Sequence, residues 1–157
     1  MRRLAWLPLV LLSGFALTPQ LLAGDLGDRV HYVGGTVSVL PSKTGGVMST
    51  TDEDVFLFQT KEVTVQIPYQ KINVLEYGQR VSRRYAEALL ISPMFLLTKT
   101  RKHYLTIGFT DSQGKQQAMI FEVGKGDIRS LLVSLEAKTG RRLEYQDDDA
   151  RRSGKGS

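Results

Sequence analysis

Residues 104–123 read YLTIGFTDSQGKQQAMIFEV, and residues 127–140 read DIRSLLVSLEAKTG. In the first stretch Leu105, Ile107 and Phe109 recur at period two, Asp111-Ser112-Gln113-Gly114 carries turn chemistry, and Met119, Phe121 and Val123 resume the alternation. This pattern predicts a β-hairpin with one apolar face. In the second stretch Ile128, Leu131, Leu132 and Leu135 fall at i, i+3, i+4 and i+7. Asp127 is placed to cap the first turn, Lys138 lies in the last, and Gly140 provides a stop. The spacing predicts an amphipathic helix over 127–139 that lays one apolar stripe on a sheet. The fold class expected is therefore α+β.

Upstream, strand patterns continue. Val30, Tyr32, Thr36, Val37 and Val39 mark a first strand, and Pro41-Ser42-Lys43-Thr44-Gly45-Gly46 is a strong turn signal. Val47 to Thr51 predicts a second strand, Asp52-Glu53-Asp54 a polar turn, and Val55-Phe56-Leu57-Phe58 a third strand. Val63, Val65 and Ile67 share one face of a fourth, and Ile72 to Tyr77 follows as a fifth. With the hairpin they give about seven short strands in a half-buried antiparallel sheet. Arg141 to Tyr145 is a candidate terminal strand, and residues 146–157 have the charged composition of a disordered tail. Between the fifth strand and the hairpin, Tyr85 to Ile91 looks helical, Ser92-Pro93 interrupts it, and Met94-Phe95-Leu96-Leu97 resumes the apolar run. That run is too short to cross a membrane.

The first 24 residues differ in kind. Arg2 and Arg3 are followed by an apolar run from Leu4 to Leu17, broken only by Pro8, Ser13 and Gly14, and then by Leu21-Leu22-Ala23. This order predicts an export signal, cleaved near Gly24 or Asp25, and a periplasmic or secreted protein. The alternative is an uncleaved N-terminal anchor, because Leu4 to Gly24 approaches the roughly 20 residues that span a bilayer. The chain has no cysteine, which excludes a cysteine-linked lipid anchor, disulfides and thiol chemistry. Without the signal about 133 residues remain (157 minus 24), enough for a single domain over 28–145. The formal charge of +5 falls to +3, from 19 Lys plus Arg against 16 Asp plus Glu.

The strands in the middle of the chain carry a resemblance. Gly46-Val47-Met48-Ser49-Thr50 leads into Val55-Phe56-Leu57-Phe58 and then into Val65-Gln66-Ile67-Pro68-Tyr69-Gln70-Lys71-Ile72. This wording is similar to that of GRAM-like and bacterial pleckstrin-homology-like domains, in which an Ile-Pro-Tyr-x-x-Ile corner joins two strands. The resemblance covers about residues 30–140. It implies a bent, partly open barrel plugged by a C-terminal helix and, by analogy, a binding role. Two departures accompany it: an export signal, and an apolar insertion at 85–97 longer than a simple strand connection. Only Lys43 lies in the first hairpin turn, so the phosphoinositide site of some members is not carried over.

Chemistry-bearing patterns are few. His31 and His103 each sit at a strand start among apolar residues, without the spacing of a metal site, so backbone-bonded strand histidines are expected and no metal or cofactor is. Ser112-Gln113-Gly114-Lys115 fits S-x-x-K, and Lys43-Thr44-Gly45 and Lys138-Thr139-Gly140 fit K-T-G, but the serine and lysine lie in a hairpin turn instead of on a helix. A hydrolytic carboxylate pair drawn from Asp52, Glu53 and Asp54 with Glu76 or Asp111 is the remaining enzymatic alternative. The leading expectation is a non-catalytic binding module with a protein partner and no nucleic acid. The runner-up is a peripheral module for anionic membrane surfaces. Its candidate contacts are the basic-framed apolar run: Arg83, Arg84, Leu89, Ile91, Met94, Phe95, Lys99, Arg101 and Lys102.

Overall fold

The computed structural model describes residues 28–81, 102–124, 128–146 and 148–155. The strands are β1 (Asp28–Gly35), β2 (Thr44–Ser49), β3 (Val55–Gln59), β4 (Thr64–Pro68), β5 (Ile72–Gly78), β6 (His103–Thr110), β7 (Gln116–Val123) and β8 (Glu144–Tyr145). The helices are α1 (Ile128–Thr139) and α2 (Asp148–Lys155), and a 3₁₀ turn over Tyr69–Lys71 joins β4 to β5. All eight strands form one sheet in the order β4-β3-β2-β1-β7-β6-β5-β8. Neighbours are antiparallel except β8, which runs parallel to β5, so the sheet is mixed, and it is open. Two meanders, β1 to β4 and β5 to β7, are joined by the pairing of β1 with β7. Register shifts between Tyr32 and Gly34 and between Ile72 and Val74 add bulges, which bend and twist a sheet.

Strand alternation decides which side chains make the core. Val30, Tyr32, Met48, Phe56, Phe58, Leu75, Leu105, Ile107, Met119 and Phe121 share one buried cluster with Ile128, Leu131, Leu132 and Leu135 of α1. Phe121 is its hub, with Phe58 at 4.9 Å, Tyr32 at 5.8 Å and Phe56 at 6.4 Å between centroids, all edge-on. Edge-to-face pairs contribute about 0.5–1.5 kcal/mol each beyond their buried area. Gly140 ends α1 at φ +64, its N–H donating to the Glu136 carbonyl at 3.0 Å. The left-handed conformation is why glycine suits that position.

Several expectations are corrected. The central strands are buried on both faces: Val33, Tyr104, Ala118 and Ile120 form a second cluster away from α1, with Thr106 buried on the same side. A half-buried sheet therefore describes β2 to β4 and not β6 or β7. The first strand stops at Gly35, because Lys43 turns at φ 67 and donates its N–H to the Tyr32 carbonyl at 2.8 Å, which folds 36–43 into a loop. The sheet has eight strands, the last being the candidate terminal strand. Beyond it, where a disordered tail is expected, Asp148–Lys155 is helical, with Ala150 buried in the core and Gly154 against the Tyr145 ring. The predicted signal at 1–24 and the apolar run at 85–97 lie outside the described residues. Among the described residues, no helix is long and apolar enough to cross a membrane.

Candidate functional site

The core alternation of β1 to β3 dictates what their other face presents. Val30 and Tyr32 point inward, so Arg29 and His31 point out; Met48 and Phe58 point inward, so Val47 and Gln59 point out. The register sets Arg29 beside Val47 and Val47 beside Gln59, while His31 faces Gly45. Gly45 has no side chain to fill that place, and a groove of about 520 Å³ opens there, bordered by Arg29, His31, Gly45, Gly46, Gln59 and Lys61. A second cavity of about 360 Å³ shares Gly45, Thr60 and Lys61 with it and runs to Val39, Leu40 and Pro41 in the β1–β2 loop.

Lys61 stands at the junction because of a local turn. Thr60 donates its N–H to the Val63 carbonyl at 2.8 Å, and its hydroxyl oxygen accepts the N–H groups of Val63 at 2.9 Å and Glu62 at 3.2 Å. These bonds end β3 at Gln59 and carry Lys61 over the end of β2. Arg29 and Lys61 bring positive charge to the border; among the described residues lining the two cavities Glu62 is the acidic one, and Glu122 of β7 stands opposite His31 in register. Gly46 is a close-approach position, where a Cβ atom would lie 2.5 Å from the Gln59 carbonyl oxygen and 2.6 Å from the Phe58 ring. A Cβ at Gly45 would meet nothing nearer than the His31 ring at 3.8 Å.

The residues singled out from sequence fare differently. Arg83, Arg84, Leu89, Ile91, Met94, Phe95, Lys99 and Arg101 lie outside the described residues. Lys102, just before β6, pairs with Glu122 of β7 at 2.8 Å, which raises its pKa. His103 is buried against a side chain: its Nδ1 is 2.8 Å from the Tyr77 hydroxyl, and the two rings stack at 5.6 Å. The acidic candidates serve their own turns. Asp52 Oδ1 accepts the N–H groups of Asp54 at 2.8 Å and Val55 at 3.0 Å, which holds its carboxyl below the usual range. Asp111 accepts from Gln117 Nε2 at 2.8 Å and from the N–H groups of Lys115 and Gln113 at 2.9 Å, with the same direction of shift. Glu76 is buried on β5, where Gln146 Nε2 donates to it.

Lys138 likewise serves the fold. Its ammonium donates to the Asp52 carbonyl at 2.5 Å, lies 3.7 Å from Glu53 and stands 5.5 Å above the Tyr69 ring, tying the end of α1 to the β2–β3 turn. Arg29 and Lys61 were not singled out from sequence, and His31 was weighed there only as a strand histidine or metal ligand. The available signal was the alternation around Val30 and Tyr32, which puts Arg29 and His31 outside, together with two adjacent glycines entering β2. No family model matches this sequence, and no curated protein matches it.

Proposed function

We propose that this chain is an exported, non-catalytic binding module on a pleckstrin-homology-like sheet, and that it holds an anionic ligand in the groove between β1, β2 and the β3–β4 turn. The groove itself carries the proposal: a concave site with three basic side chains, one acidic side chain and a glycine floor. Clefts lined by one sign of charge concentrate ligands of the other. Supporting the fold family are two antiparallel meanders joined through β1 and β7, no pairing between β4 and β5, and a helix following the last meander strand. Supporting a non-catalytic role, Asp52, Asp111 and Lys138 are all committed to turns and tethers. The charge and hydropathy order of residues 1–24 supports export.

A second reading, docking on an anionic membrane surface, is favoured by Val39, which is 60% exposed at the groove mouth on the loop that carries Lys43. Co-sedimentation of the full chain with anionic and neutral vesicles, and co-elution with polyglutamate, each at two salt concentrations, test both. Salt-sensitive binding to polyglutamate is the expected result. Binding to anionic vesicles alone selects the second reading, and binding to neither contradicts both.

A further inference from the structure

We infer that the chain pairs with a second copy of itself through the outer edge of β4, antiparallel and centred on Val65. The pairing is independent of what the groove binds. β4 ends the sheet, and among the described residues it pairs with β3 alone. Two bonds fix which of its backbone groups that pairing uses: the Thr60 N–H donates to the Val63 carbonyl at 2.8 Å, and the Tyr69 N–H donates to the Asp54 carbonyl at 3.0 Å. Both couples continue the register in which Phe58 faces Val65 and Phe56 faces Ile67. Backbone groups alternate along a strand, so Val63, Val65 and Ile67 turn their N–H and C=O groups toward β3. Thr64 and Gln66 turn theirs outward, together with the carbonyl of Pro68. Sheets usually blunt such an edge with charge, a bulge or brevity. β8, at the other end, is two residues long. β4 has five residues, none of them charged, and an unbroken register, and only Pro68 at its end interrupts the row of donors.

The strand is complementary to itself. Thr64 and Gln66 are exposed on its outer face, while Val63 and Val65 are half-buried beside Ile67 on the core face. Antiparallel pairing centred on Val65 sets Thr64 against Gln66 of the second copy and the reverse, which satisfies the outward N–H and C=O groups of both residues. The same register sets Val65 against Val65 and Val63 against Ile67, so the apolar row that the edge leaves half open is covered by an apolar row, polar side chains meet polar ones, and no like charges are opposed. Such cross-strand pairs are what stabilise a sheet. A shift of two residues one way sets Thr64 against Pro68, which has no N–H to give. The opposite shift draws on Glu62, which lies in the turn before the strand begins. A second copy therefore fits this edge in one register.

The chain has no cysteine, so one introduced thiol reports on its own copy. Val65 and its copy occupy a non-hydrogen-bonded position, where Cα atoms lie about 4.5 Å apart, within reach of a disulfide. Glu62 is exposed near the same edge, but the register places it and its copy roughly 20 Å apart along the strands. The test oxidises full-length Val65→Cys and Glu62→Cys with diamide, reads the covalent dimer on non-reducing gels, and follows the unsubstituted chain and Gln66→Pro by sedimentation velocity over a concentration series. Gln66→Pro removes an outward N–H and leaves the bonds to β3 in place. The expected result is a dimer yield about tenfold or more higher for Val65→Cys than for Glu62→Cys. Sedimentation should show a concentration-dependent dimer that Gln66→Pro weakens about tenfold or more. Equal cross-linking at the two positions would overturn the register. A dimer indifferent to Gln66→Pro would overturn the β4 edge, and an unsubstituted chain that stays monomeric at every concentration would overturn the inference as a whole.

Discussion

Two adjacent glycines on β2 should respond to the same methyl group with opposite signs. In Gly46→Ala the new Cβ would sit 2.5 Å from the Gln59 carbonyl oxygen and 2.6 Å from the Phe58 ring. One of those atoms is backbone in the neighbouring strand, and the other belongs to a ring locked 4.9 Å from Phe121, so neither gives way cheaply. Overpacking of this kind costs about 1–3 kcal/mol. In Gly45→Ala the nearest atom is 3.8 Å away, an ordinary contact, and neither glycine has a positive φ. Replacing glycine there should be neutral or stabilise by about 0.4–1 kcal/mol, through the lower entropy of the unfolded chain. Urea unfolding followed by circular dichroism measures both, with a shift of midpoint at constant slope as the criterion. For a chain of this size each kcal/mol is worth about 2–4 °C in Tm. Equal effects at the two positions, or a destabilising Gly45→Ala, would refute the register that places Gly46 against β3 and Gly45 in open space.

Three further outcomes are expected. Lys138→Met keeps the aliphatic stem but removes the donor to Asp52 and the charge above Tyr69, and should cost about 1–2 kcal/mol in urea unfolding; an unchanged midpoint would contradict the tether. Burial pushes the hydroxyls of Tyr32, Tyr69 and Tyr77 up to about 12 from 10.0, so the fold favours their protonated forms. That contribution is full below pH 10 and is lost as pH rises toward about 12, and Tyr77→Phe should flatten the decline in unfolding free energy across this window. Asp52 and Asp111 have lowered pKa values, so their contribution is present above the ordinary carboxylate value of 3.8 and is lost as pH falls below it; Asp111→Asn should soften the acid transition followed by circular dichroism.

The sequence was most legible where its signals are local. The β6–β7 hairpin needs only Asp111, Gly114 and the alternation around them, and α1 needs only its apolar stripe and Gly140. It was less legible where distant residues decide. Val37 and Val39 extend the pattern of the first strand, but the Lys43-to-Tyr32 bond bends them into a loop. Tyr104 and Ile120 look like the wet face of a hairpin, and only the assembled fold buries them. The acid-rich start of α2 reads as solvated, whereas Ala150 and Gly154 dock it against the core and Tyr145. The groove was hidden for the same reason. Arg29, Gly45 and Lys61 are far apart in the chain, and they meet only through the pairings of Val30 with Gly46 and of Val47 with Gln59.

Amide chemical shifts of the full chain during titration with polyglutamate test the central claim most directly. The account predicts perturbations concentrated at Arg29, His31, Gly45, Gly46 and Lys61 that fade as salt is raised. Perturbations centred instead on α1 and Lys138, on the opposite face of the sheet, or none at all, would contradict it.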